Sequence, residues 1–366
     1  MTHRILFIAA TLQRTAAAKS IARLALDLPR DAFDVHIVAL SAGGPVEREL
    51  REAGLPVTVL GQRLAVDPFA YWKLRSFIKH LRPDLVQTWN FSANSYGRIA
   101  ARAGGVKTTI ASELCEAPWK RWTQRTIDRR LAADTARIVV SSPGVRDFYV
   151  AGGIAPEKFT IIPGGVTTHV DESTRSSLRA ELELPADARL IGAVGRLSPR
   201  KRLRDPIWST DLLKVARDDV HLLIVGDGPE RADLMRYRDQ VEIRDRVHFL
   251  GEREDLPRLL SQLDLLWHAS GYEGFPYPVA EAMAAGLPVV ATDNSGNRQL
   301  VDSQETGYLV PVGDRAALAR YANKLLDDAE LAKRLGEAGR AKVLAEFPAQ
   351  KMVDAHAALY RELLTG

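Results

Sequence analysis

Residues 270–292 read SGYEGFPYPVAEAMAAGLPVVAT, and the rest of the chain is best read outward from them. Two carboxylates, Glu273 and Glu281, have seven residues between them. Gly274, Phe275, Pro276 and Pro278 set up a turn running into a helix. Pro278 suits a first helical position, since its missing N–H would be unpaired there anyway. Gly286 reads as the left-handed residue after the last turn, with Pro288 preventing continuation. Val289–Thr292 is a short apolar run, predicted to be a buried parallel strand. The product is an acid, a turn, a short helix and a strand. A helix N-terminus of this kind offers free N–H groups and a partial positive charge, which favours phosphate. Ionised carboxylates beside it suit the hydroxyls of a sugar or a ribose.

The chain around this stretch alternates apolar runs with segments at helical spacing. Strands are expected at 5–10, 35–40, 57–60, 85–89, 108–111, 138–141 and 159–162, with helices between them, including one over 119–133. Pro163-Gly164-Gly165-Val166 interrupts the pattern as a linker. A helix around 173–183 follows. Alternation then restarts with strands at 190–194, 221–225, 247–250 and 263–268, the focal segment, a strand at 307–310 and helices over 315–363. This pace predicts an α/β chain of two Rossmann-like, doubly wound parallel sheets facing across a cleft, with ligands at the carboxyl ends of the strands.

At 366 residues, two domains are the natural expectation. The single cysteine, Cys115, excludes an internal disulfide and fits a reducing cytoplasm. The apolar run at 5–10 is too short for a membrane span. A net charge of +4 hides an asymmetry: residues 1–167 hold 23 Lys and Arg against 14 Asp and Glu, and the remainder 27 against 32. A basic N-terminal half draws anionic partners, whether nucleotide, phosphorylated acceptor or membrane surface, although ordinary solvated charge accounts for it equally. Trp119-Lys-Arg-Trp122-Thr-Gln-Arg125 has two readings. Its tryptophans pack inward from an exposed helix, which is the preferred one, or they rest on an anionic membrane as a peripheral contact at its inner face. No recognition motif accompanies the basic residues, so nucleic acid is not an expected partner.

The ordered set Glu273-Gly-Phe-Pro…Glu281-Ala-Met-Ala-Ala-Gly-x-Pro-Val-Val is similar to the signature of retaining glycosyltransferases of the GT-B fold, in their family four. The resemblance implies an N-terminal acceptor domain over 1–166, completed by a C-terminal helix at about 347–366 that crosses back to it, and a nucleotide-sugar donor domain over 167–346. It also implies transfer of a sugar from a UDP- or GDP-type donor to a hydroxyl acceptor, in a setting such as cell-envelope polysaccharide, with no cofactor. Gly195-Arg196-Leu-Ser-Pro-Arg-Lys201 matches the family's Gly-Arg-Leu with a lysine five residues after the arginine. Arg196 and Lys201 would then stabilise charge developing on the departing diphosphate, without a metal. No Asp-x-Asp occurs, and no histidine has metal-site spacing. By the same resemblance Glu281 addresses the ribose, and Glu273 addresses the transferred sugar and stabilises positive charge at its anomeric carbon. The N–H groups of Gly274 and Phe275, ahead of Pro276, address the sugar, while Gly226 and Gly251 shape the nucleotide pocket.

The first half departs from the family pattern. Leu12–Ala17 lacks the usual glycine pair, and Pro163-Gly-Gly-Val-Thr167 replaces a Pro-Asn-Gly-Val-Asp hinge. The expected histidines are missing after the strands at 85–89 and 108–111. Glu113 ends its strand facing the expected cleft, where it would bind or deprotonate an acceptor hydroxyl. A helix cap or an ion pair with Arg98 or Lys120 is the preferred alternative. The missing histidines and glycines keep a non-catalytic sugar-nucleotide-binding protein as an alternative, which the intact Arg196, Lys201, Glu273 and Glu281 set argues against; a sugar-nucleotide epimerase is a further alternative, disfavoured because the focal motif fits transferases better.

Overall fold

A computed structural model describes residues 2–64, 66–167 and 177–365. The chain divides into two units: residues up to Gly165 together with those from Ala349 on, and Val166–Pro348.

In the first unit, strands β1 (His3–Thr11), β2 (Phe33–Ala42), β3 (Val57–Val59), β4 (Leu85–Trp89), β5 (Thr108–Glu113), β6 (Arg137–Val140) and β7 (Phe159–Ile161) form one sheet. Its order is β3-β2-β1-β4-β5-β6-β7, with every pairing parallel. Helices α1 (Ala16–Asp27), α2 (Pro45–Glu52), α3 (Pro68–Leu81), α4 (Asn90–Ala103), α5 (Trp122–Ala133) and α6 (Pro143–Ala151) supply the crossovers. Ile5, Leu6, Phe7 and Ile8 are all buried. Successive residues point to opposite faces, so helices must cover both sides, and the run is therefore unbroken rather than alternating. Asp67 starts α3 by accepting from Ala70 N at 3.0 Å, with Pro68 next in the helix. Such a cap is worth about 1 kcal/mol.

The second unit repeats the plan. Its sheet contains β8 (Arg189–Val194), β9 (Val220–Val225), β10 (Val247–Gly251), β11 (Leu265–His268), β12 (Val289–Thr292) and β13 (Tyr308–Val310), in the parallel order β10-β9-β8-β11-β12-β13. Its helices are α7 (Leu178–Glu181), α8 (Arg204–Lys214), α9 (Arg231–Gln240), α10 (Leu256–Leu260), α11 (Tyr277–Ala284), α12 (Asn297–Leu300), α13 (Arg315–Asp327) and α14 (Ala329–Glu346). Strand order reverses between β8 and β11, and that is where a sheet of this type opens a crevice. The α/β character and the two Rossmann-like parallel sheets expected from the sequence are present.

Helix α15 (Ala349–Thr365) belongs to the first unit. Its Met352, Val353, Ala357, Leu359 and Tyr360 join the core formed by Phe7, Phe33, Trp89 and their neighbours. The Tyr360 ring meets Phe33 edge-on at 5.7 Å between centroids, and its hydroxyl donates to Gln87 Oε1.

Three local expectations change. The helix expected at 173–183 is described only as the single turn Leu178–Glu181, and its first part lies outside the described residues. Pro278 is the second residue of α11, because the turn already begins at Tyr277. Trp119 and Trp122 do not pack inward: they are 59% and 78% exposed.

Candidate active site

The turn after β8 is built from close backbone contacts. Gly195 leaves the strand at φ +146° and donates its N–H to Val225 O at 2.9 Å, and Leu197 N donates to Asp227 O at 2.9 Å. A Cβ on Gly226 would stand 2.1 Å from Gly195 O, and one on Gly228 2.3 Å from Leu197 O. Gly226 N in turn donates to Gly251 O at 2.7 Å. Gly226 and Gly251 thus form the floor that carries the 195–201 turn; at Gly226 only bare backbone fits, and Gly251 is held at φ +71°, which favours glycine. A Cβ on Gly195 would come within 3.0 Å of Lys201 Cε, so that glycine clears a path for the lysine stem.

Lys201, 7% exposed, donates from Nζ to Glu273 Oε1 at 2.7 Å, and Nζ lies 3.2 Å from His268 Nε2. Arg200 donates to the other oxygen, Oε2, and to Tyr272 O at 3.3 Å. Glu273 is itself only 5% exposed. Burial alone would raise its pKa, but the Lys201 and Arg200 charges outweigh it and bring it down to about 2. Burial first, and then the Lys201 charge, press His268 down to about 3, so the imidazole is neutral. An ammonium has only donors, so Nε2 accepts from Lys201 and the ring proton sits on Nδ1. Nδ1 itself is buried without a hydrogen-bond partner among the described residues.

A second loop holds Glu273 in place. Asn294 Nδ2 donates to Ser270 O at 2.9 Å, while its Oδ1 accepts from Gly296 N and Asn297 N at the start of α12. Thr292 Oγ1 donates to Ser270 O at 2.5 Å. A Cβ on Gly296 would fall 2.6 Å from Glu273 Cβ, and Gln299 Nε2 donates to Gly274 O at 2.8 Å. Buried, satisfied polar networks of this kind fix one conformation.

The structure brings together Lys201 and Glu273 from the sequence reading and adds Arg200 and His268, which that reading missed. A signal for each was present: Arg200 lies beside Lys201 in the quoted turn, and His268 is a polar residue closing the apolar run Leu265–Trp267. Arg196 is exposed and, among the described residues, its side chain has no ion-pair partner. Glu281 lies half-buried on α11. Phe275 turns its ring inward against Tyr277 and Phe347, at 5.0 and 5.7 Å, and its carbonyl accepts from Tyr277 N at 3.1 Å. Pro276 is buried at the cap of α11.

Glu113 belongs to the first unit and to a different environment. Its Oε1 accepts from Asn94 Nδ2 at 2.9 Å and Lys120 Nζ at 3.1 Å, and its Oε2 accepts from Tyr149 Oη at 2.7 Å. Lys120 also donates to Asp128 at 2.8 Å, and Arg98 stands 3.7 Å from Asp128 rather than pairing with Glu113. Burial, and then the Glu113 charge, push both Asp128 and Tyr149 up. The carboxylate of Glu113 is thereby engaged on both oxygens inside a buried network.

Residues 174–342 match the family described as "Glycosyl transferases group 1", and residues 17–170 match "Glycosyltransferase Family 4". The chain is 30% identical over 301 residues to the lipopolysaccharide core biosynthesis glycosyltransferase LpsD of Rhizobium meliloti, covering 79% of this chain and 78% of that one. It is 25% identical over 362 residues to the UDP-Gal:alpha-D-GlcNAc-diphosphoundecaprenol alpha-1,3-galactosyltransferase of Escherichia coli, covering 93% and 92%. Its match to the N-acetyl-alpha-D-glucosaminyl L-malate synthase of Bacillus anthracis, 32% identical over 189 residues, spans 52% of this chain and 49% of that protein, about half the length of each. The crystal structure of Anabaena HepE with UDP and glucose superimposes with a TM-score of 0.89 at 22% identity, covering 99% of this chain and 100% of that one, which shows a shared fold. Both halves match and a relative is matched over most of its length, so the chain belongs to the group 1, family 4 glycosyltransferases of the GT-B fold.

Proposed function

We propose that this glycosyltransferase moves a sugar from a nucleoside-diphosphate donor to a hydroxyl acceptor with retention of configuration and without a metal ion. The observation that carries this reading is the buried contact of Lys201 with Glu273, 2.7 Å long, at the strand-order reversal of the second sheet. Two cations against one carboxylate leave the cluster positive, which suits a diphosphate. Lys201 and the exposed Arg196 stabilise the charge that grows on the leaving phosphate. Glu273 stays ionised throughout the physiological range, so it accepts hydrogen bonds from sugar hydroxyls and offsets positive charge at the anomeric carbon. Glu281 takes the ribose, the N–H groups of Gly274 and Phe275 take the sugar, and the turns at Gly226 and Gly251 bound the nucleotide.

In retention by same-face attack, the acceptor oxygen bonds to the anomeric carbon as the bond to the β-phosphate oxygen breaks. The acceptor proton passes to that phosphate. The residues up to Gly165, with α15, serve as acceptor domain, and Val166–Pro348 as donor domain. Relatives named for lipopolysaccharide core and for a diphosphoundecaprenol acceptor favour a cell-envelope glycan or lipid-linked acceptor. HepE, solved with UDP, favours a UDP-type donor.

A thermal-shift comparison of UDP with GDP, followed by slow hydrolysis of a panel of nucleotide sugars, tests the donor. NMR of the released sugar reads the anomer, and turnover in excess EDTA reads the metal requirement. Inverted product, or activity abolished by EDTA and restored by a divalent ion, overturns the corresponding part. Interconversion at C2 without transfer makes the protein an epimerase, and tight binding without turnover makes it a binding protein.

A further inference from the structure

Lys201 Nζ is approached from two sides. Glu273 Oε1 accepts from it at 2.7 Å, and His268 Nε2 lies 3.2 Å away. The two acceptors belong to separate parts of the second unit. Glu273 stands on the loop between β11 and α11, whereas His268 is the last residue of β11, where its backbone pairs with Ala291 of β12. An ammonium directed by one acceptor can pivot about that contact. A second acceptor, fixed to a paired strand, removes the pivot.

The chemistry of the second acceptor decides what the ammonium can then do. A carboxylate at 268 would also accept, but it would bring the cluster of two cations and one carboxylate to neutrality. A protonated imidazole could only donate, and it would repel Lys201 and Arg200. A neutral imidazole accepts without adding charge. The ring is 2% exposed, with Ser270 Oγ at 3.3 Å and Glu273 Oε1 at 3.6 Å from the same Nε2.

Packing alone gives no reason for a histidine here. The residues before it in the strand, Leu265, Leu266 and Trp267, are apolar. The proton on Nδ1 is buried without an acceptor among the described residues, and an unmade hydrogen bond of that kind costs about 1–3 kcal/mol. An apolar side chain of similar volume would avoid the cost. A residue that lowers stability where it stands is expected to serve function.

We infer that His268 is a positioning residue for Lys201, fixing the direction of its ammonium toward the leaving phosphate without neutralising it. The inference rests on the role given to Lys201 above, and His268 acts through the lysine rather than on the donor.

The test follows release of nucleoside diphosphate from whichever nucleotide sugar of the donor panel the wild-type chain hydrolyses fastest. His268→Leu should lower kcat about 30-fold and leave the donor KM within about three-fold, because a misaimed cation is felt in the transition state rather than in binding. Its thermal unfolding should stay within about 3 °C of wild type, since the unpaired Nδ1 leaves with the ring. His268→Gln, whose amide oxygen can accept in the same place, should return kcat to within about five-fold of wild type. Added to Lys201→Ala, His268→Leu should cost no more than about two-fold further, because its effect passes through the lysine. Unchanged kcat in folded His268→Leu, equal losses with leucine and glutamine, or additive losses in the double variant overturns the inference. His268→Met serves if leucine is not accommodated, and loss of folding in both overturns it too, since packing would then require the ring. Full turnover by Lys201→Ala removes the lysine's role and this inference together, whereas the other outcomes remove this inference alone.

Discussion

Glu273 lies between Lys201 and Arg200 with almost no solvent, and substitutions around it should therefore separate stability from activity. Lys201→Ala removes one partner of a buried pair and should cost about 3 kcal/mol in urea unfolding. Donor turnover should fall by about two to three orders of magnitude. Lys201→Met combined with Glu273→Gln removes both charges together and should recover much of that stability while turnover stays lost. A stable but active double variant would contradict the assigned roles. Arg196 is the contrast, since it is exposed. Arg196→Ala should leave thermal unfolding within about 1 °C and still lower turnover by about 100-fold. Sequence order made the lysine and the carboxylate legible as candidates. It could not show that Arg200 joins them or that His268 accepts from Lys201, because side-chain direction across some seventy residues is set by the packed turns.

At the scale of elements, the floor of the site depends on backbone contacts that sequence patterns only hint at. Gly336 lies inside α14, where alanine would ordinarily gain about 1 kcal/mol. Here a Cβ would fall 2.0 Å from Gly286 O, at the residue that ends α11 with φ +77°. Gly336→Ala should therefore destabilise, by about 2 kcal/mol or more, measured by denaturant midpoint. The strands and long helices were legible because their apolar runs and periodicity extend over many residues. Helix α12 was not, since four residues leave no period and its start is fixed by the side chain of Asn294. Nor could the exposure of Trp119 and Trp122 be read, because cations between tryptophans fit a buried or an exposed ring equally well.

At the scale of the molecule, both sheets and the match across most of the chain followed from alternation and one long motif, whereas the cost of acid is visible only in the packing. Burial lowers His356 on α15 from 6.5 to about 4. The fold thus favours the neutral ring, and the unfolded chain takes up a proton first. Its contribution is complete above about pH 6.5 and drains away as pH falls to about 4, amounting to about 3 kcal/mol. Unfolding followed across that interval should show the decline, and His356→Gln should make it shallower, with buried His268 and half-buried His248 sustaining the remainder. Removing residues 349–366 should leave the first unit open to proteolysis while Val166–Pro348 resists. The same helix bears on how the protein is made. The second unit is one uninterrupted segment and can close as soon as the ribosome has released it. The first unit, although begun earlier, must wait with part of its apolar interior uncovered until α15 emerges. Nascent chains arrested before and after that helix should therefore show the later-made half protected first, which inverts the usual order of synthesis and leaves the older half dependent on chaperones for longest.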